Sequence, residues 1–448
     1  RPDVAAEVAA APYDTFSRAE ATREVAAHPL SFLHIDKPAA LFDTSVGEYD
    51  ARVYERARTE LDTWYEQGIL MPDQGPGEPP VPAYFIYRLT QGAHAQTGLV
   101  ACASVANYER GVIKRHENTR SHKQQDRVEH IRALEAHTGP VLLTYPSVRE
   151  LDVLLKGWTD SAEPLYDFTA PDGVHHELWR VNETDTVQQI RSLLAAIPTL
   201  YIADGHHRAA AAAEVAELYA LAAVGKTEAE EAHTGEATGE ATDTDGPGTT
   251  QTDTGEKDTE GTHTAGRAGT GEADYFLVAL FGSDELQVLD YNRVISDCAG
   301  LQPEALLASV AEVMDVEEQG TEPYRPTRRG EFGLYVGGTW YRLSVRESER
   351  PADIVDGLDV ALLHSTILAP LLQVTDPRSD PRIAYVGGAR GLAELARRAD
   401  VTGGVAFALY PCSLPELFAV ADEGRLMPPK STWFEPKPRS GLVIHRIE

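Results

Sequence analysis

The run Leu200-Tyr201-Ile202-Ala203-Asp204-Gly205-His206-His207-Arg208 joins a short apolar stretch to an alanine-rich one, Ala209 to Ala213. That order predicts a strand that turns at Gly205 into a helix. The first N–H groups of such a helix lack intrahelical partners, and together with the helix dipole they favour a bound anion. His206, His207 and Arg208 add donors at the same place, and Asp204 either caps the helix or helps to hold a metal ion. A second run, Ile113-Lys114-Arg115-His116-Glu117-Asn118-Thr119-Arg120, packs cations, a histidine, a carboxylate and a hydroxyl into one connection, where functional groups are usually displayed. Among cations Glu117 stays ionised, and it serves as a general base only where desolvation or substrate raises its pKa again. A third run, Met427 to Lys437, presents Lys430, Ser431 and Thr432 between prolines that restrict the backbone, and a lysine with hydroxyls suits a phosphate or carboxylate. No glycine loop precedes it, so it is not a Walker A site. Each run also has a plain structural explanation: a capped polar turn, a solvated charged connection, and a terminal segment anchored by Trp433 and Phe434.

Two histidine groups invite a metal reading. His122, Asp126 and His130 recur every four residues along one stripe of a helix, about 140° from the apolar stripe of Val128, Ile131 and Leu134. They are expected on a solvated face unless another element covers them. His175, His176 and Glu177 follow an Asp-Gly turn and are expected to be surface polar residues. Metal binding stays open.

The elements that must position these residues alternate between strand and helix. Glu48 to Gly68 has helical spacing, and Ala83 to Leu89 and Leu99 to Tyr108 have the character of strands. Ser121 with Gln124 forms a capping-box pattern ahead of a helix to about His137. The alanine-rich helix ends near Val224. Strands are expected at Phe276 to Phe281, Phe332 to Val336 and Thr339 to Val345, with a helix at Val360 to Leu372. The alternation predicts an α/β or α+β class with a mixed sheet and flanking helices. Residues 225–272 are Thr, Gly, Ala, Glu and Asp with almost no aliphatic or aromatic side chain, a composition that cannot offset its ordering entropy. They read as a disordered acidic insert between an N-terminal α/β part, 1–224, and a C-terminal α/β part, 273–448.

A formal net charge of −30 over 448 residues disfavours nucleic acid as a partner. Three widely spaced cysteines, Cys102, Cys298 and Cys412, give neither a zinc ribbon nor a disulfide framework. No stretch approaches the length of a membrane span and the first thirty residues do not resemble a secretory signal, so the expected location is the cytoplasm. The sequence leaves the oligomeric state open.

Ala11-Pro12-Tyr13-Asp14, Ile113 to Glu117 with Thr119, Asp126-Arg127, Ala203 to Arg208, Tyr291-Asn292-Arg293, Leu358-Asp359-Val360 and Met427 to Thr432 together resemble the bacterial family known as domain of unknown function 1015. The acidic insert lies outside that pattern. Where the family commonly continues the turn with Tyr and Glu, Ala209 and Ala210 stand here, and Gln124 replaces a frequent acidic residue. The Gly-His-His-Arg turn is similar to the Gly-x-His-Arg phosphate-holding turn of the ParB and sulfiredoxin-like fold, which includes a free serine kinase. That resemblance implies a core of this fold, a small-molecule substrate, ATP or ADP, and Mg²⁺. It assigns Gly205, His206, His207 and Arg208 to nucleotide phosphates and Lys114 and Arg115 to the transferred group. Glu117 falls to the acceptor hydroxyl, Asp204 to Mg²⁺, and Thr119, Arg293, Lys430, Ser431 and Thr432 to substrate or phosphate. Three readings stay open: a kinase of serine or a similar hydroxyl metabolite, a phosphatase or other hydrolase using His116 or His206, and a nucleotide or metabolite sensor that catalyses nothing.

Overall fold

The computed structural model describes residues 1–74, 81–235, 271–346, 348 and 350–447. Its largest element is an eight-stranded mixed sheet in the spatial order Ile113–Lys114, Leu200–Asp204, Val141–Tyr145, Tyr275–Gly282, His94–Ser104, Tyr84–Gln91, His175–Val181, Tyr166–Thr169. Two pairings are parallel, Ile113–Lys114 with Leu200–Asp204 and Val141–Tyr145 with Tyr275–Gly282, and the others are antiparallel. The central strands are apolar throughout because both faces are covered. Side chains alternate between the faces. Leu143, Ile202, Val278 and Leu280 meet Leu151, Leu155, Ile190, Ala209 and Ala212 of three helices, whereas Leu142, Ala203, Leu277 and Phe281 meet Leu417, Val420, Met427 and Phe434 from near the C-terminus.

A second sheet of six antiparallel strands runs Asp315–Gly320, Thr339–Ser344, Glu331–Val336, Val405–Leu409, Tyr291–Ile295, Ile383–Gly387. Helices Pro303–Val313 and Asp359–Leu363 cover one face, and helix Leu392–Thr402 covers the other. The tail then returns to the start of the chain, where Ser440 bridges Ala10 and His445–Arg446 pairs with Ala136–His137. The fold is therefore mixed α/β. The division expected at 273 does not separate the two sheets, because Tyr275–Gly282 sits inside the first one.

Several expected elements shift. The strand placed at Leu99 to Tyr108 ends at Ser104 and is followed by a short helix, Val105–Glu109. Helix Ser121–Leu134 has Arg120 at its N-cap with no side-chain cap, since Gln124 instead accepts from the Thr119 hydroxyl at 2.8 Å and donates to Glu214 at 2.8 Å. The helix from His206 continues past Val224 to Gly235, as a run rich in Ala and Glu allows. Residues 236–270 of the expected insert lie outside the described residues. No helix among the described residues is long and apolar enough to cross a membrane.

Candidate functional site

Gly205 has φ +96°, a conformation open to glycine, and a Cβ there would stand 3.1 Å from the Arg208 guanidinium. The turn brings Arg208 back over it. Nη2 of Arg208 donates to Oδ2 of Asp204 at 3.0 Å while Nη1 donates to the Pro140 carbonyl. On the other carboxylate oxygen, Lys437 Nζ donates to Oδ1 at 3.2 Å. Asp204, Arg208 and Lys437 are 28%, 14% and 11% exposed, so this double ion pair lies at the base of a cleft rather than on a flat surface. Desolvation works against the Asp204 carboxylate, but Lys437 and Arg208 outweigh it and hold its pKa to about 2. Asp204 thus anchors two cations.

The second run meets this turn from the neighbouring edge strand. The His116 and His206 rings pack edge to face at 4.5 Å, and the His116 backbone N–H approaches His206 Nε2 at 3.4 Å. The Arg120 N–H donates to His207 Nε2 at 3.0 Å, which fixes the loop against the start of the helix. Both His116 and His206 are buried. Desolvation carries His116 down to about 4 and His206 well below the ordinary histidine range, so both are neutral at pH 7. His207 is lowered to about 4, by desolvation first and then by Lys123. These histidines act as packing and hydrogen-bonding pieces beneath the turn. Buried neutral imidazoles of this kind are poor proton donors, which weighs against acid catalysis by His116 or His206.

Glu117 does not have the lowered pKa expected of a carboxylate among cations. Desolvation raises its pKa, with a further push from Asp204, although Lys430, Arg120 and Lys123 pull it down. Lys430 comes from the third run, with φ +59° and its amine 5.5 Å from the centre of the Tyr291 ring. Lys123 lies one helical turn beyond Arg120. Its pKa is lowered, by desolvation first and then by Lys430 and Arg120. Among the described residues no carboxylate forms an ion pair with Arg120, Lys123 or Lys430. Asp14 acts on Lys123, His207, Lys430 and Lys437 electrostatically and so borders the same cleft.

Other expected site residues are engaged elsewhere. Lys114 Nζ donates to Asp422 at 2.7 Å, beside the Tyr201 hydroxyl at 2.9 Å from the same oxygen, and Arg115 is exposed. The Thr119 hydroxyl is used by Gln124, and the Ser431 hydroxyl donates to the Pro428 carbonyl at 2.6 Å. Thr432 is half-buried beside it. Arg293 is buried and donates to backbone carbonyls, at 2.9 Å for Lys430.

Both histidine groups of the metal reading are divided, with His122 exposed and His130 and His176 buried. Helix Ala51–Glu66 covers the Asp126 stripe: the Tyr54 hydroxyl donates to Asp126 at 3.0 Å, and His130 is buried against the Ile35 carbonyl at 2.8 Å. His176 points inward from its strand, bonded to the Tyr87 hydroxyl at 2.8 Å and to Arg439 Nε at 3.2 Å. Only its neighbours stay outside. Asp167, His175 and Glu177 form the only group of three side chains close enough to share an ion among the described residues, at the opposite edge of the large sheet from Gly205.

The cleft includes residues that the motif reading did not single out: Lys123, Asp14, Tyr291 and Lys437. Lys123 had a legible signal, since a residue three after Arg120 lies on the same side of a helix. Asp14 and Tyr291 belong to segments that carry the family resemblance but have no assigned role there.

Among solved structures, a C-terminally truncated SbnI from Staphylococcus aureus is 12% identical over 78% of this chain and 86% of its own, with a TM-score of 0.34. A variant of free serine kinase in complex with AMP is 12% identical over 75% and 87%, with a TM-score of 0.32. A conserved hypothetical protein from Pyrococcus furiosus is 12% identical over 76% and 93%, at 0.31. Superpositions this loose carry neither ligand nor chemistry over to this chain. No curated protein matches it. A family profile does match, over residues 1–244 and 249–361. It takes in the Gly205 turn and the Glu117 loop, ends before Met427 to Thr432, and, contrary to expectation, runs through most of the acidic segment. The chain thus belongs to the family described as protein of unknown function (DUF1015).

Proposed function

We propose that the cleft binds the phosphates of a small molecule, a nucleotide foremost, and that the protein is a phosphoryl-transfer enzyme acting on a hydroxyl compound. The observation that carries this reading is the cation group Arg120, Lys123 and Lys430. They are exposed beside a helix N-terminus, Lys430 and Arg120 repel Lys123, and none forms an ion pair with a carboxylate among the described residues, although Glu117 and Asp14 act on Lys123 and Lys430 from further away. An anion with several oxygens relieves that repulsion, and phosphate suits both the charge and the donors. Glu117 supplies the second half of the chemistry. A carboxylate with a raised pKa, facing cations, is matched to accepting a hydroxyl proton as a phosphoryl group leaves its donor. Lys430 and Lys123 then neutralise charge on the transferred group, while Arg208 and Lys437 keep the Gly205 turn in shape through Asp204.

Mg²⁺ fits the donor set in part. No preformed cage of three ligands lies in the cleft among the described residues, but Asp14 and Glu117 offer carboxylate oxygens at its border, and Mg²⁺ commonly takes one or two carboxylates with phosphate oxygens and water. When bound it would neutralise phosphate charge.

Incubation with ATP or ADP, Mg²⁺ and a panel of hydroxyl metabolites, followed by detection of the phosphorylated product, tests the reading. Glu117→Gln is expected to retain nucleotide binding and to lower turnover by about 10²- to 10⁴-fold. The rate of the parent protein should fall as pH drops through the raised pKa of Glu117, because the base must be ionised. Saturable nucleotide binding with no turnover across the panel would favour a sensor, and no binding at all would remove the reading.

A further inference from the structure

The Arg293 guanidinium is 2% exposed and, among the described residues, has no carboxylate partner. Burying a charge in that way is unfavourable unless other groups take the place of water. Here backbone carbonyls and an aromatic face do so. Nη2 donates to the Lys430 carbonyl at 2.9 Å and reaches the Pro429 carbonyl at 3.5 Å, Nη1 donates to the Tyr291 carbonyl, and the Tyr385 ring lies 5.3 Å from Cζ. Two consecutive carbonyls of the third run are thus drawn to one planar fork.

That pull has a local consequence. Lys430 stands at φ +59°, a conformation that a residue with a Cβ adopts reluctantly. The Ser431 hydroxyl closes the turn on Pro428 at 2.6 Å, and the Met427 N–H donates to the His116 carbonyl at 2.8 Å, so the segment is held at both ends. Between them the Lys430 side chain leaves the turn over Tyr291, two residues before Arg293 on the same strand and on the same face.

We propose that Arg293 is a positioning residue that sets the Lys430 turn from below, so that the Lys430 amine meets the bound phosphate while Arg293 itself never touches it. The inference rests on the phosphate-binding reading of the cleft. It assigns the second sheet a part in the site through one side chain.

A double-mutant cycle on the full chain tests it, with inorganic phosphate and ADP as probes in titration calorimetry. Arg293→Met and Lys430→Ala should each weaken binding about tenfold, and the double variant should bind no more weakly than Lys430→Ala alone. Arg293→Lys keeps the charge without the planar fork, and should resemble Arg293→Met; binding at the parent affinity would overturn the proposal, since charge alone would then suffice. Additive losses in the cycle would also overturn it. If Arg293→Met does not fold, the cycle is run with Arg293→Lys. If the parent protein binds neither probe, the phosphate reading fails, and hydrogen exchange still decides the positioning claim. Arg293→Lys should speed exchange at residues 430–432 relative to the rest of the chain, and unchanged exchange there would overturn it.

Discussion

Two groups of cations face one cleft and differ in how their charge is met. Arg208 and Lys437 share the Asp204 carboxylate, and Arg208 also donates to the Pro140 carbonyl. Arg120, Lys123 and Lys430 have no such partner among the described residues, and the first and last of them depress the pKa of Lys123. Conserving charge with a buried partner holds a backbone in place, whereas leaving like charges together is tolerable only where something else will neutralise them. The first group is therefore architecture, and the second is the one that the proposed function assigns to phosphate. The sequence motifs mixed the two, because a cation in a turn looks the same in either role.

Acid should break the fold beneath both groups most severely. His116 and His130 have pKa values lowered to about 4, and His137 and His176 to about 3, in each case by desolvation first. Between those values and the unfolded value near 6.5, the unfolded chain binds protons that the folded one refuses. Stability is thus complete above about pH 6.5 and falls as pH is lowered. Each histidine contributes up to about 2 kcal/mol of loss by pH 5, so four together rival the whole stability of an ordinary domain. Denaturant midpoints at pH 7 and pH 5 measure this, and equal midpoints would show that the imidazoles are hydrated.

Arg208→Ala comes next, with an expected loss of about 3 kcal/mol, because it leaves Asp204 with one partner and the Pro140 carbonyl with none from this side chain. Calorimetric unfolding reads it. A loss under about 1 kcal/mol would move Arg208 into the second group. Lys430→Ala should give the reverse pattern: an unchanged or slightly raised melting temperature without ligand, and most of the phosphate-induced rise removed. At a hundred times Kd that rise corresponds to about 2.7 kcal/mol for the parent protein. A destabilised Lys430→Ala that still responds fully to phosphate would dissolve the contrast between the groups. The smallest effect is expected from replacing residues 236–270 by a short Gly-Ser linker, under about 0.5 kcal/mol, since that composition offers almost nothing to a core. A larger loss in melting temperature would give the acidic segment a structural role.

How much of this could be read from residue order depends on distance along the chain. The strand, Gly205 and helix sequence was legible because each piece has local physics: apolar run, positive φ, alanine-rich helix. The mixed α/β class followed from the same alternation. What the order of residues hides is the partner. Lys114 and Lys430 both stand beside turns, yet Asp422 takes the first, while the second has no carboxylate ion pair among the described residues. The Asp126 stripe is polar by period and lies on the side away from the apolar stripe, but helix Ala51–Glu66 brings Tyr54 to Asp126, and His130 is bonded to the Ile35 carbonyl of helix Leu33–Asp36, both contacts far away in sequence. His176 was misplaced for a simpler reason. In a strand the middle of three polar residues points to the opposite face from its neighbours, so a polar triplet on an edge hairpin need not be wholly wet. Gln124 shows the limit of a local motif, since its side chain found Thr119 and Glu214 before any cap could form.

The place of Tyr275–Gly282 between Val141–Tyr145 and His94–Ser104 sets the order in which this chain can mature. Every strand around it is synthesised earlier, with the acidic segment in between, so the emerging polypeptide carries two apolar edges facing an unfilled central slot. Such edges are templates for pairing with other chains. Contacts this far apart in sequence also form slowly. The nascent protein is consequently most prone to aggregate while residues 1–235 are already outside the ribosome and the central strand is not, and a chaperone that shields strand edges would matter more during that interval than at any later stage.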